Sequence, residues 1–460
     1  MQMKISSYGA AHTVTGSNHL LEMDGKQILL DCGLFQGSSA LDALNDLPWG
    51  YDIHGIEALF LSHAHLDHSG RLPKLVKDGF KRQIIATQAT REIVEQLLND
   101  SAKLQREDYE RSVRKGRKAT PPMYDEDDVA ATLELFTLIE YDKPLDWDNI
   151  SVTAQVAGHI PGSASLSFEC AGERFVFSGD IGNSRKDILP DPVPCPDADV
   201  ILMESTYGDR DHRPFEESLT ELANLLTQAA DKGGKILIPS FALERTQDLL
   251  YHIARLEEQK LIPILPVFVD SPLAGRIEKT YSTAKQEFVP EIQKMFETKD
   301  PFETAQLRYT KTTEESKALN VMSGSAIIIA GSGMMTGGRI LHHLINHLGN
   351  PTTSLVIVGF QPEGGLGRRL VDGADRVRIN GQDVAVRASI NTINGFSAHA
   401  DRTELLNWSK NVKGEVRLVH GEMKSMESLT AALQARGQNA SIQAPSIAMP
   451  GEGGHSSDGE

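Results

Sequence analysis

Along the first 200 residues, short apolar runs end abruptly on polar side chains. Gln27–Leu30 (QILL) stops at Asp31, and Ile56–Leu61 (IEALFL) runs into Ser62 and a histidine-rich loop. Arg174–Phe177 (RFVF) leads to Ser178-Gly179-Asp180, and Val200–Met203 (VILM) leads to Glu204. Runs of this length read as strands, and polar residues at strand ends are delivered to a shared rim. Ala89–Lys118 departs from the pattern: Ile93, Leu97, Leu98 and Leu104 recur at helical spacing and predict one long helix. After Tyr207 the character changes. Helical patterns over Phe215–Ala230 and Glu244–Glu258, and near Gly338–Leu348, alternate with four apolar runs. These are KILIPS (Lys235–Ser240), PVFVDS (Pro266–Ser271), SAIIIAGSG (Ser325–Gly333) and SLVIVGFQ (Ser354–Gln361). Buried β-branched strands alternating with helices predict a parallel α/β sheet. From about Val384 short strands return, VRASINTIN and then Glu415–Val419 ending at His420. The chain reads as one domain interrupted by another. Residues 1–209 and 391–445 make the first, 210–390 the insertion, and the Gly/Ser/acid-rich stretch 446–460 a disordered tail.

Composition narrows the class without deciding it. A chain of 460 residues has room for two or three domains and a large core. Its 46 Lys+Arg against 63 Asp+Glu give 46 − 63 = −17, which argues against a general nucleic-acid coat but leaves room for a local basic groove. The longest apolar run, Leu261–Val269, contains two prolines and is far too short to span a membrane. No apolar leader follows Met1, and the three cysteines form no CxxC pair, so a cytoplasmic protein without a disulfide framework is expected.

The histidines carry more. In Ser62-His63-Ala64-His65-Leu66-Asp67-His68-Ser69-Gly70, three imidazoles and a carboxylate fall within six residues. They cannot all be buried without partners, and imidazole nitrogen and carboxylate oxygen are ligands that zinc accepts. On a loop leaving a strand, His63 and His65 point the same way by alternation, while Asp67 and His68 turn toward a second position. A solvated His-rich loop, or one adventitious metal site, is the bland alternative. It loses ground because Asp31, His159, Asp180 and His420 also stand at strand ends.

These residues resemble the metallo-β-lactamase superfamily, whose signature is HxHxDH followed by a distal His, Asp and His. Glu204-Ser205-Thr206-Tyr207-Gly208 is similar to motif A of the β-CASP nucleases, Phe396-Ser397-Ala398-His399-Ala400-Asp401 to motif B, and Val419-His420-Gly421-Glu422 to motif C. Pro239–Gln247 and Gly331–Arg339 are also family-like, so the resemblance runs from about residue 5 to 425. It points to bacterial ribonucleases similar to the 73-kilodalton endonuclease subunit of the cleavage and polyadenylation specificity factor. The fold implied is α/β: a metallo-β-lactamase αββα sandwich interrupted by an inserted α/β β-CASP domain with a mostly parallel sheet.

The resemblance implies two zinc ions per chain. One is held by His63, His65 and His159, the second by Asp67, His68 and His420. Asp180 bridges them, with Asp31 supporting from behind. Five imidazoles and two carboxylates suit two ions that share a bridging solvent, lower its pKa and neutralise charge on a phosphate in flight. Asp67, His399 and Glu204 are counted as catalytic. His399 is the candidate general acid for the leaving oxygen, because imidazole titrates near neutral pH, and Glu204 accepts its other ring proton. Taken alone, His399 reads equally as a core histidine. Ser240, Arg245, Ser332, Gly333 and Arg339 are candidate phosphate contacts, since Gly-rich turns before helices expose N–H groups to anions. Lys103–Lys118, with seven basic and three acidic residues, either tracks an RNA backbone or is a solvated helix face.

The function implied is hydrolysis of RNA phosphodiester bonds, as endonuclease or 5′-to-3′ exonuclease, on single-stranded RNA and with no membrane. Without an appended RNA-binding module, binding falls to a cleft between the two domains. A DNA nuclease of the same superfamily is the first alternative, but motif C there is typically Val and here it is His420. A small-molecule hydrolase is the second, and those lack an insertion between motifs A and B, whereas here 399 − 204 = 195 residues separate them. An inactive RNA-binding scaffold fits poorly because every ligand position is filled. A homodimer is left open, and without the long C-terminal domain of the ribonuclease J type it has to form differently.

Overall fold

The computed structural model describes residues 3–184, 187–359, 361, 362 and 364–449. They divide into two compact units: 3–184, 189–211 and 399–449 form the first, and 187, 188 and 212–398 the second.

The first unit is built from two sheets. One has six strands in sequence order, from Lys4–Gly9 to Phe136–Leu138. The other has seven, in the spatial order Asn439–Ile442, Glu415–Val419, Val200–Glu204, Glu173–Phe177, Ala164–Cys170, Ile150–Val156, Leu145–Trp147. Alternation decides which face turns inward: along Ile150–Val156, Ile150, Val152 and Ala154 are buried and the residues between them less so. The inner faces meet in one core that includes Leu21, Ile28, Phe60, Phe168, Phe175 and Phe177. On the outer face of the second sheet, Val176, Ile201, Met203 and Leu418 pack against Leu405 and Trp408 of the helix Arg402–Trp408 and Met426 and Leu429 of the helix Met423–Ala435.

The predicted long helix spans Gln88–Arg114 and is capped by Thr87, whose side chain accepts from Thr90 N–H. Residues 446–449, assigned to a tail by composition, are held: Ser446 N–H donates to Ser7 O (2.7 Å), and Ile447 and Met449 pack with Phe35 and Leu44. The remaining tail residues, from 450 on, lie outside the described residues.

The second unit carries a six-stranded sheet in the order Leu307–Tyr309, Val267–Asp270, Ala326–Ala330, Lys235–Pro239, Ser354–Ile357, Ser389–Thr392, parallel throughout. Its central strands are buried on both faces, as a parallel sheet covered by helices requires. The boundary at 390 cuts through a strand. Ser389–Thr392 pairs with Ser354–Ile357, so the chain returns to the first unit only at His399. Among the described residues, no helix is long and apolar enough to cross a membrane.

Candidate metal centre

The candidate ligands and their neighbours all belong to the first unit, and strand register brings them together. Glu173–Phe177, Val200–Glu204 and Glu415–Val419 run parallel, with Phe177 opposite Leu202 and Glu204 opposite Val419. Their ends therefore present Asp180, Glu204 and His420 side by side. In the other sheet Leu30 is opposite Phe60, which sets Asp31 beside the loop Ser62–His65 and the short helix Leu66–Ser69. Asp31 and His420 hold left-handed backbones (φ 60° and 50°), a conformation that costs a non-glycine residue about 1–3 kcal/mol and persists where surrounding structure imposes it.

Three groups of side chains converge, each with ligand atoms within 4.8 Å of one another: His63, His65, His159 and Asp180; Asp67, His68 and His420; and, sharing Asp180 with the first, Asp180, Glu204 and His399. In the first, His65 Nδ1 lies 3.2 Å from His63 Nε2 and 3.1 Å from His159 Nε2. In the second, His68 Nε2 faces His420 Nε2 at 3.2 Å, and Asp67 Oδ2 lies 3.6 Å from His420 Nε2. Asp180 divides between these two. Its Oδ2 faces His63 (3.5 Å) and His159 (3.6 Å), and its Oδ1 faces His68 (3.3 Å) and His420 (3.6 Å).

The donor set fits a pair of metal ions. Tetrahedral zinc with Zn–N bonds near 2.0–2.1 Å holds its ligand atoms about 3.3–3.4 Å apart, close to the nitrogen spacings here. Burial and neighbouring imidazoles hold His63 and His159 well below the ordinary histidine range, so both rings are neutral and have a lone pair to give. Burial works against the charge of Asp180, but His420 and His68 keep it well below the carboxylate range. Among the described residues its buried Oδ1 has no hydrogen-bond partner, as a carboxylate oxygen reserved for a cation would.

The second layer of contacts selects which ring nitrogen faces inward. His68 Nδ1 lies 2.6 Å from Asp31 Oδ2, which turns Nε2 toward the cluster. Asp31 is itself held by Ser17 Oγ (3.0 Å), Ser62 Oγ (3.0 Å) and Ser62 N–H (2.8 Å). Thr206 Oγ1 lies 3.1 Å from His420 Nδ1, the ring nitrogen that is also 3.6 Å from Asp180 Oδ1, while Nε2 faces His68 and Asp67. Sequence reasoning missed Ser17, Ser62 and Thr206 as supports. Thr206 and Ser62 sit inside motifs, a signal that was available. Ser17 carried none.

His399 sits where Gly182 and His399 pair as an isolated antiparallel bridge, with Ala400 N–H donating to Ile181 O (2.8 Å). Asp401 caps the helix that follows, reciprocally with Glu404. The ring's Nδ1 lies 3.2 Å from both carboxylate oxygens of Glu204, which is fully buried and also accepts from Ile181 N–H (2.6 Å). Burial would lower His399, but Glu204 and then Asp180 overcome it and push it up to about 10.

The candidate phosphate contacts lie in the second unit, at the C-terminal ends of Lys235–Pro239 and Ala326–Ala330. Ser240 N–H donates to Ala330 O (3.0 Å), and Gly333 packs where a side chain would meet the Phe241 ring at 2.9 Å. Ser332 Oγ caps its own loop, accepting from Thr336 N–H (3.0 Å). The guanidiniums are engaged internally. Arg339 donates to Asp270 (2.7 Å) and Thr310 Oγ1 (3.1 Å), and Arg245, buried, donates to Val358 O (2.5 Å).

Three family profiles match the chain: the metallo-beta-lactamase superfamily over residues 14–240, the Beta-Casp domain over 246–370, and the Zn-dependent metallo-hydrolase RNA specificity domain over 383–444. The chain is 43% identical over 443 residues to Ribonuclease TTHA0252 of Thermus thermophilus, covering 96% of this chain and 98% of that one. It is 30% identical over 437 residues to Cleavage and polyadenylation specificity factor 73 of Drosophila melanogaster, covering 94% of this chain but only 62% of the fly protein. A crystal structure of a protein of unknown function from Enterococcus faecalis shares the fold, with TM-score 0.54 at 14% identity and 97% and 98% of the two chains covered. With these matches and the convergent ligand groups, the chain belongs to the β-CASP branch of the metallo-β-lactamase superfamily.

Proposed function

We propose that this protein is a zinc-dependent ribonuclease that hydrolyses phosphodiester bonds of single-stranded RNA in the cytoplasm. The observation that carries the reading is Asp180, whose two oxygens face two separate histidine groups, beside an imidazole paired with a buried glutamate. That arrangement suits phosphoryl transfer, in which charge must be offset on the phosphate and a proton supplied to the leaving oxygen. His63, His65 and His159 would hold one zinc, Asp67, His68 and His420 the other, and Asp180 both. Bound there, the pair supplies Lewis acidity that activates water at neutral pH and offsets phosphate charge.

The rest is done by this chain's own side chains. Asp31 fixes the tautomer of His68, and Thr206 holds the His420 ring at Nδ1. Glu204 accepts from His399 Nδ1–H and keeps the ring charged. His399 passes its Nε2 proton to the ribose oxygen as the P–O bond breaks, and Glu204 stabilises the proton that stays behind. A DNA substrate is the competing reading within the same chemistry. The names of the Thermus and Drosophila relatives support RNA.

The test is incubation of 5′-labelled and internally labelled RNA, and of the same sequence as DNA, with and without chelator. RNA cleavage abolished by chelator and restored by zinc is expected, and product lengths separate endonucleolytic from 5′-to-3′ action. Cleavage indifferent to chelator, or confined to DNA, would overturn the proposal.

A further inference from the structure

The long helix Gln88–Arg114 begins beside the loop that carries His159 and runs away from it. Thr87 and Thr90 hydroxyls both donate to Gly162 O (2.7 and 2.8 Å), three residues beyond His159, and a side chain at Gly162 would come within 2.4 Å of Thr90 N. From there 27 residues at 1.5 Å each carry the helix about 40 Å. Its buried residues stop at Ala102, so the second half stands out from the body of the unit. Two contacts brace it from the returning chain: Met123 N–H donates to Gln105 Oε1 (2.9 Å), and Arg106 pairs with Glu126.

Five basic residues crowd the far end. Arg111, Arg114, Lys115, Arg117 and Lys118 fall in eight positions, and no acidic residue occurs from 111 to 124, in a chain of net charge −17. All five are exposed. The turn that groups them is built. Gly116, at φ 64°, lets its N–H donate to Val113 O (2.9 Å) and Arg117 N–H to Ser112 O (3.0 Å), which folds Arg117 and Lys118 back beside the last helical turn. Lys103 and Arg111 pair with Glu107 and Asp108 of the same helix, and Arg106 with Glu126 of the returning chain. Among the described residues Arg114, Lys115, Arg117 and Lys118 pair with none. One or two cations would complement the helix dipole, and residues beyond the helix end add little to that. Four exposed, unpaired cations on an acidic protein are a site for a polyanion.

We infer that this cluster is an RNA exosite: it binds the backbone of the substrate one helix length, about 40 Å, from the loop that carries His159, so that long RNAs are held at two points and short ones at one. The inference rests on the ribonuclease reading. At the roughly 3.4 Å per nucleotide of a stacked strand, the span corresponds to about 12 nucleotides, and fewer where the strand is unstacked.

The test combines Arg114→Gln, Lys115→Gln, Arg117→Gln and Lys118→Gln in the full chain. KM and kcat are measured on a 30-nucleotide unstructured RNA and on a tetranucleotide, and binding of the labelled 30-mer is read by fluorescence anisotropy. The exosite predicts a rise in KM for the 30-mer of about tenfold at low salt, kcat unchanged, and no matching change on the tetranucleotide. The salt dependence of 30-mer binding should also lose up to about 2.8 from its log–log slope, four contacts at about 0.7 each. Identical kinetics and anisotropy for wild type and variant would make the cluster a solvated face or a protein-docking surface and overturn the exosite alone. Equal losses on both RNAs would place the damage at the metal centre and overturn it too. A wild type that cuts and binds no RNA of either length would instead sink the ribonuclease reading itself.

Discussion

Replacing His399 by Ala isolates the proton that the proposed mechanism delivers. Glu204 faces the imidazolium with both oxygens at 3.2 Å and with no exposed surface of its own. A charge pair at that distance, at an effective dielectric near 20, is worth about 5 kcal/mol, enough to keep the ring protonated at neutral pH. Loss of a positioned general acid costs roughly 10²–10⁴ in rate, or about 2.7–5.4 kcal/mol of transition-state stabilisation. His399→Ala should therefore cut single-turnover cleavage by that factor with metal content and fold intact, since its Nδ1 is taken up by Glu204 and each proposed zinc keeps its own three ligands without it. Glu204→Gln retains an acceptor for Nδ1–H but removes the charge, and should lose about 10–100-fold. The assay compares normal RNA with RNA carrying sulfur in place of the leaving oxygen, because a thiolate leaves without being protonated. The sulfur substrate should restore most of the rate lost in His399→Ala and little of anything in wild type. If His399→Ala cleaves both substrates equally slowly, His399 is not the acid, and its contact with Glu204 serves only to shape the rim.

Elemental analysis should find about two zinc ions per unchelated chain and fewer in His63→Ala, whose circular dichroism should match wild type because His63 stands on a loop at a strand end. Thr206→Val should weaken metal retention against a competing chelator about 10–100-fold, and Thr206→Ser should restore it; equal retention in all three would deny the hydroxyl its orienting role. Glu278, pushed up to about 8 by burial and by Asp300, gives stability that is full below its unfolded value of 4.5 and is lost as pH rises through about 8. Denaturant midpoints should therefore show Glu278→Gln gaining on wild type between pH 5 and 9, by an upper figure on the order of 5 kcal/mol; a pH-independent difference would contradict this.

What this chain declares locally, its sequence shows. Apolar runs stopping at Asp31, Asp180, Glu204 and His420 mark strand ends because side-chain period and turn chemistry are short-range properties. The spacing of His63, His65, Asp67 and His68 likewise declares ligand chemistry within six residues. The parallel sheet of the second unit was legible in its β-branched runs; a strand was also legible within VRASINTIN, but not that it belongs to this sheet. Ser389–Thr392 is only partly buried, and only its pairing with Ser354–Ile357 assigns it. Residues 446–449 likewise look like tail by composition, and their contacts with Ser7 and Phe35 cross almost the whole chain.

Tertiary structure decided everything that depends on register between distant strands. His68 and His420 are 352 residues apart and meet at 3.2 Å because each follows the end of a strand in a different sheet and the two sheets pack face to face. The same packing recruited Ser17 and Thr206, whose hydroxyls acquire meaning only beside Asp31 and His420. It also buried Arg245 against Val358 and engaged the partly exposed Arg339 with Asp270, contacts that no local pattern announces. Ligand type is a property of the residue and travels with the sequence. Which lone pair faces which, and which charge is already spent, is set by neighbours that only the folded chain supplies.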